Sequence, residues 1–163
     1  MNRLSRTSAL LGAALSLAMV AGCSGGTGGA VDDSPEAVAF QYRQGIMRAI
    51  AYKVGRLRAM TQGEIPQDDM AFTKDAEDVE ALAGMLTEGF IPNSIVDGSA
   101  ALPEIWMNWD DFTSKGQELQ RAATELANAA RQGGYQAGQG LVQAVGQACG
   151  NCHRPYRRRA AEG

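Results

Sequence analysis

Near the end of this chain stands Cys149-Gly150-Asn151-Cys152-His153, two thiols and an imidazole at the spacing of covalent haem attachment. His153 is the only histidine among 163 residues, so the chain has one imidazole to give a metal. Each group has a chemical task. The thiols form thioethers with the vinyl groups of a haem c, and the imidazole ligates the iron from one face. On a helix, Cys149, Cys152 and His153 fall at i, i+3 and i+4 and project to one side. A single helical turn can therefore hold a flat macrocycle at its edge and at its centre.

Other chemistries use a Cys-x-x-Cys pair. Structural zinc wants four ligands, and the sequence holds no second pair to complete a site. A thioredoxin-like redox pair belongs in a strand–helix–strand pattern, and nothing flanking Cys149 reads as strand. A structural disulfide is compatible with export but leaves His153 without a role. The haem reading accounts for all three side chains.

The third cysteine has a different setting. Arg3 and Arg6 precede an apolar run from Ala9 to Val20, then Val20-Ala21-Gly22 lead into Cys23. This is an export signal over residues 1–22, with an apolar run too short to span a membrane. The Val-Ala-Gly-Cys ending resembles a bacterial lipobox, which implies cleavage before Cys23 and lipidation of that residue. Ser24 in place of aspartate resembles lipoproteins sent to the outer membrane. The expectation is a lipid-anchored protein on the periplasmic side, where the thiols escape the reducing cytosol.

Loss of Arg3 and Arg6, with no acid in the signal, lowers the formal charge from −3 to −5. That balance argues against nucleic acid as a partner and supplies no basic patch for a membrane surface. The chain beyond the signal is long enough for one domain with one core.

The rest of the chain must position the motif. Residues 23–33, rich in Gly, Ser and Thr at their start, read as a flexible tether, and residues 34–160 as the folded domain. Ser34-Pro35-Glu36 is a helix start, followed by Val38, Tyr42, Ile46, Ile50, Val54 and Leu57 at helical spacing, with Gly63 and Pro66 ending the run. Asp68 or Asp69 caps a second helix with the stripe Phe72, Ala76, Val79, Leu82, Ala83 and Leu86, closed by Gly89. The stretch from Phe90 to Ile105 holds Pro92, Gly98 and Pro103, lacks a helical period, and reads as a long connection. A third helix starts near Asn108 or Asp111 and buries Phe112, Leu119, Ala123, Leu126 and Ala130. Glycines 133, 134, 138 and 140 loosen the next turn. A fourth runs from about Leu141 through the haem motif to Tyr156. No segment alternates as a strand does. The fold class is all-α, an antiparallel four-helix bundle with covalently bound haem.

The chain resembles the cytochrome c′ family, which includes low-spin members. The resemblance runs from about Pro35 to Arg159. It rests on Tyr42-Arg43-Gln44-Gly45-Ile46-Met47, on Gly63-Glu64, on Pro103-Glu104-Ile105-Trp106, and on Cys149 to Arg157. It implies a four-helix bundle with Cys149 and Cys152 holding haem and His153 as axial ligand. It also implies that Arg43 and Gln44 contact the haem and its propionates, and that Arg157 lies beside the proximal face. Arg154 and Pro155 stand where the family usually has acidic or small residues, and the proline threatens the last turns.

Residues 154–163 contain no methionine, so a sixth iron ligand has to come from upstream: Met47, Met60, Met70, Met85 or Met107. Met47 falls at the family's distal position, where it either blocks the iron's sixth site or ligates it. Blocking implies a protein that binds nitric oxide and carbon monoxide; ligation implies an electron carrier with an unidentified redox partner. Peroxidase chemistry lacks the second histidine that would serve as distal base, and the protein is read as a non-enzyme. The resemblance also implies dimers through the first two helices, with Tyr52, Arg56 and Met60 on the candidate face.

Overall fold

The computed structural model describes residues 32–92 and 94–159. The export signal, Cys23 and most of the tether lie outside these residues. Helix α1 spans Pro35–Thr61. The Ser34 hydroxyl accepts the Ala37 N–H at 3.3 Å, and proline opens the first turn, where its missing donor costs nothing. Helix α2, Asp69–Gly84, is capped by Asp68, whose carboxylate accepts the Ala71 N–H at 2.6 Å. It stops one turn short of Gly89, and the stretch to Phe90 continues as a chain of turns in which Leu86 is buried.

A four-residue helix α3, Glu104–Met107, occupies the end of the connection that sequence periodicity left irregular. Helix α4 runs from Trp109 to Gly138 and bends at Gly133–Gly134. The bend has a cause in α2. Gly134 adopts φ +60°, and Asp69 reaches across to accept the Tyr135 N–H at 2.8 Å, a donor freed by the break. A Cβ on Gly134 would overlap the Asp69 carboxylate. A 3₁₀ turn over Gln139–Leu141 leads into α5, Val142–Tyr156. Pro155 sits in the last turn, and the helix ends one residue later with Arg157 extended (φ −125°, ψ 131°).

Helices α1, α2, α4 and α5 form an antiparallel bundle, with α2 against α4 the most extensive packing and α1 against α5 much slighter than α1 against α2. Leu57, Phe72, Val79, Phe112, Leu126 and Val145 fill the core. Alanines at 76, 83, 123, 127, 130 and 148 line many of the remaining inward positions. Such residues let helices approach closely but each buries little area. Asp75, buried on α2, pairs with Lys53 at 2.8 Å and Arg56 at 2.7 Å, tying α1 to α2. Met60 is fully buried, so it lines no surface for a partner copy, contrary to the sequence expectation. Among the described residues no helix is long and apolar enough to cross a membrane.

Candidate functional site

Cys149, Cys152 and His153 lie on one turn of α5, as their spacing requires. Both cysteines are free thiols, Cys152 buried and Cys149 half-buried. Burial raises the Cys149 thiol above its usual range, opposed in part by the Arg58 charge, and pushes Cys152 up to about 11. Both are therefore neutral at physiological pH. His153 is half-buried, and burial, reinforced by the positive charge of Arg157, holds its pKa below the usual imidazole value. The neutral imidazole this favours is the form that ligates a metal. Among the described residues no three His, Cys, Asp or Glu side chains gather into a cluster that could hold a metal ion.

Around this end of the bundle the core turns aromatic. Phe112 meets Phe90 and Tyr156 edge to face, with ring centroids 4.8 and 5.4 Å apart, and the Trp106 indole donates to the Phe90 carbonyl at 3.2 Å. The Tyr156 hydroxyl, one turn from His153, donates to Asp111. Burial, helped by that bond, raises the phenol to about 12. On α1, Ile46 and Met47 are partly buried against the core. The other methionines of the domain are placed differently: Met60 is in the core, while Met70, Met85 and Met107 are exposed.

Arg43 is the unexpected residue. Its side chain is 4% exposed, and its guanidinium is spent on the connection between α2 and α3. It donates to the Gly89 carbonyl at 3.0 Å, the Ser94 hydroxyl at 3.1 Å, the Ser94 carbonyl, and the Ser99 hydroxyl at 3.3 Å. The same connection then pairs with the end of α5: Leu102 N–H donates to the Tyr156 carbonyl at 3.1 Å and Arg158 N–H to the Ala100 carbonyl at 2.8 Å, flanking an antiparallel bridge between Ala101 and Arg157. No sequence periodicity announces these contacts. Among the described residues Arg43 has no carboxylate partner, and burial lowers its pKa. Gln44, half-buried, accepts from Arg48 on its own helix at 3.0 Å. Arg157 is exposed.

The site suits a porphyrin on its own chemistry. The Arg43 guanidinium, its terminal N–H groups spent on neutral acceptors, keeps an unneutralised positive charge that favours a propionate. The aromatic wall suits a flat apolar ring, and two thiols beside a neutral imidazole complete a covalent mount. A helical bundle with that mount on its last helix defines a class, the four-helix proteins built around covalently held haem.

Comparison with known proteins narrows the class. The sequence profile described as Cytochrome C' matches residues 38–157. The chain is 34% identical over 121 residues to cytochrome c-554 of Cereibacter sphaeroides, covering 72% of this chain and 90% of that protein. It is 36% identical over 117 residues to cytochrome c-556 of Agrobacterium tumefaciens strain II Chrys, covering 71% of this chain and 93% of that one. The structure of cytochrome c prime from Shewanella frigidimarina superposes with a TM-score of 0.72 at 35% identity, covering 76% of this chain and 97% of the other. A nitric oxide complex of a variant cytochrome c prime from Alcaligenes xylosoxidans gives 0.69 at 30% identity, covering 77% and 97%. This chain belongs to the cytochrome c′ family, and as a member it carries a covalently bound c-type haem.

Proposed function

We propose that Cys149 and Cys152 supply the thioether links, that His153 is the axial ligand, and that the protein binds diatomic gases, nitric oxide and carbon monoxide, on the opposite face of the iron. The observation carrying this reading is the turn itself: two free thiols and the sole imidazole on one turn of α5, with the imidazole held neutral by burial. The bound group supplies a redox-active iron able to take a small neutral ligand. The chain's own residues do the rest. Met47 and Ile46 crowd the distal side and exclude water and larger anions. Arg43 offers a buried positive charge to a propionate while holding the α2–α3 connection, and Arg157 adds its positive charge to the burial that disfavours protonation of the imidazole. The relative from Alcaligenes xylosoxidans solved with nitric oxide supports the choice of ligand.

A second reading arises from the placement of Met47, partly buried where the other methionines of the domain are either in the core or exposed. With the Met47 thioether on the iron, the protein is an electron carrier, since two strong axial ligands limit reorganisation and a methionine raises the potential. The absorption spectrum separates the two. A high-spin spectrum that shifts on adding carbon monoxide supports gas binding. A weak far-red band of methionine–iron bonding in the oxidised protein, with no response to carbon monoxide, replaces it by electron transfer. Either activity is non-enzymatic.

For the segment preceding the described residues, the proposal is export, cleavage before Cys23 and lipid anchoring there, on the periplasmic side of the outer membrane. Cys23→Ser then releases the protein into the soluble fraction; continued membrane retention contradicts the anchor.

A further inference from the structure

A groove of about 720 Å³ runs along the outer side of α5, between that helix and the C-terminal end of α1. Arg58 and Arg154 flank it, and Gln62, Gln143, Gln147 and Asn151 furnish amides; no residue lining it is acidic. The groove is built into the packing. The Arg58 guanidinium lies over Gly146, where a Cβ would overlap it, so α5 is cut back to one hydrogen to admit the arginine. Gly150, beside Cys149, is part of the wall, which brings the groove to the haem-attachment turn.

The charge around it is segregated. Lys53, Arg56, Lys74, Lys115 and Arg131 are each paired with a carboxylate of α2 or α4. Among the described residues Arg58 and Arg154 have no such partner. From Gln139 to Arg159 the sequence has no acid at all. A chain of formal charge −3 thus presents an acid-free cationic strip beside its attachment motif. Charges matched in ion pairs largely cancel for a visitor, whereas unpaired arginines steer an anionic surface within a Debye length of about 8–10 Å.

We infer that this groove is the docking surface for an acidic redox protein, which exchanges one electron with the haem across the turn that carries Cys149. Resting on the haem reading above, the step is a single outer-sphere transfer. The partner's reduced centre loses one electron, ferric iron becomes ferrous, and no bond or proton is exchanged. Arg58 and Arg154 act as positioning residues, with planar forks suited to carboxylates.

The test uses the coloured, ¹⁵N-labelled holoprotein, reduced and under carbon monoxide so that it is diamagnetic. Hexacyanochromate(III), a redox-inert paramagnetic trianion, is the probe. At low ionic strength it broadens the amides of Gly146, Gln147 and Gly150 most. Arg58→Gln and Arg154→Gln each cut that broadening by about half or more, with the visible spectrum unchanged. An acidic flavodoxin shifts the same amides, and salt abolishes the shifts. Uniform broadening, broadening confined to Arg157–Arg159, or indifference to flavodoxin overturns the inference. Saturation by sub-millimolar inorganic phosphate also overturns it, in favour of a small-oxyanion site. A colourless preparation defeats the haem reading instead, so the two failures are distinct.

Discussion

Met47 is the residue on which the ligand chemistry turns. It is partly buried against the core on α1, and a methionine there either packs over the iron or bonds it. Met47→Ala removes the crowding. The carbon monoxide association rate is expected to rise on the order of tenfold, the effect of lowering an entry barrier by about 1.4 kcal/mol. Flash photolysis measures it, and an unchanged rate shows that Met47 does not stand over the iron. Single residues were legible in the sequence to different depths. Cys149, Cys152 and His153 could be read because their relation is local: i, i+3 and i+4 on any helix share a face. Arg43 could be singled out through resemblance, but its partners could not. Gly89, Ser94 and Ser99 come to it from an aperiodic connection, through contacts that no spacing rule encodes.

Between elements, Arg43 joins α1 to the connection that in turn pairs with the end of α5. Arg43→Met leaves the Gly89 and Ser94 carbonyls without their buried donors and is expected to cost about 2–4 kcal/mol. Denaturant titration measures the loss, and hydrogen exchange locates it at Leu102 and Arg158. A change within about 0.5 kcal/mol would mean the clamp is incidental. Tyr156 ties the same end of α5 to α4 through Asp111, with its phenol raised to about 12. The folded chain keeps that proton after the unfolded chain has lost it, so stability falls as pH rises from the ordinary tyrosine value of 10.0 towards 12. Tyr156→Phe flattens this part of the profile; an unchanged slope assigns the loss to other groups. Helix starts were readable from Ser34-Pro35 and Asp68, where local donors set the boundary. The bend in α4 was half readable. Gly133 and Gly134 marked the place, but the carboxylate that stabilises the break comes from Asp69, far away in sequence. The pairing of Ala101 with Arg157 had no signal, being one isolated bridge without alternation.

At the scale of the whole molecule, the sequence foretold an antiparallel four-helix bundle because four apolar stripes with polar links admit few other solutions. It held no hint that α1 packs far less against α5 than against α2, though α1 and α5 bear Met47 and the attachment turn. Nor did total charge reveal that paired acids gather on α2 and α4 while unpaired arginines face the groove on α5. The alanine-rich interior leaves area that a porphyrin would bury. The haem-free polypeptide is therefore expected to unfold broadly, with near-ultraviolet dichroism weakened. A sharp, cooperative transition like that of the holoprotein would show the bundle is complete by itself.

The central claim is that two sulfur atoms on α5 hold the haem covalently. Its most direct measurement is the intact mass of denatured protein produced in a host that matures such cytochromes, alongside Cys149→Ser, Cys152→Ser and the double variant. The account predicts that the wild-type polypeptide and its haem remain one species through denaturation, and that the double variant releases the pigment. Bare wild-type polypeptide, or a double variant that still carries covalent haem, would contradict it.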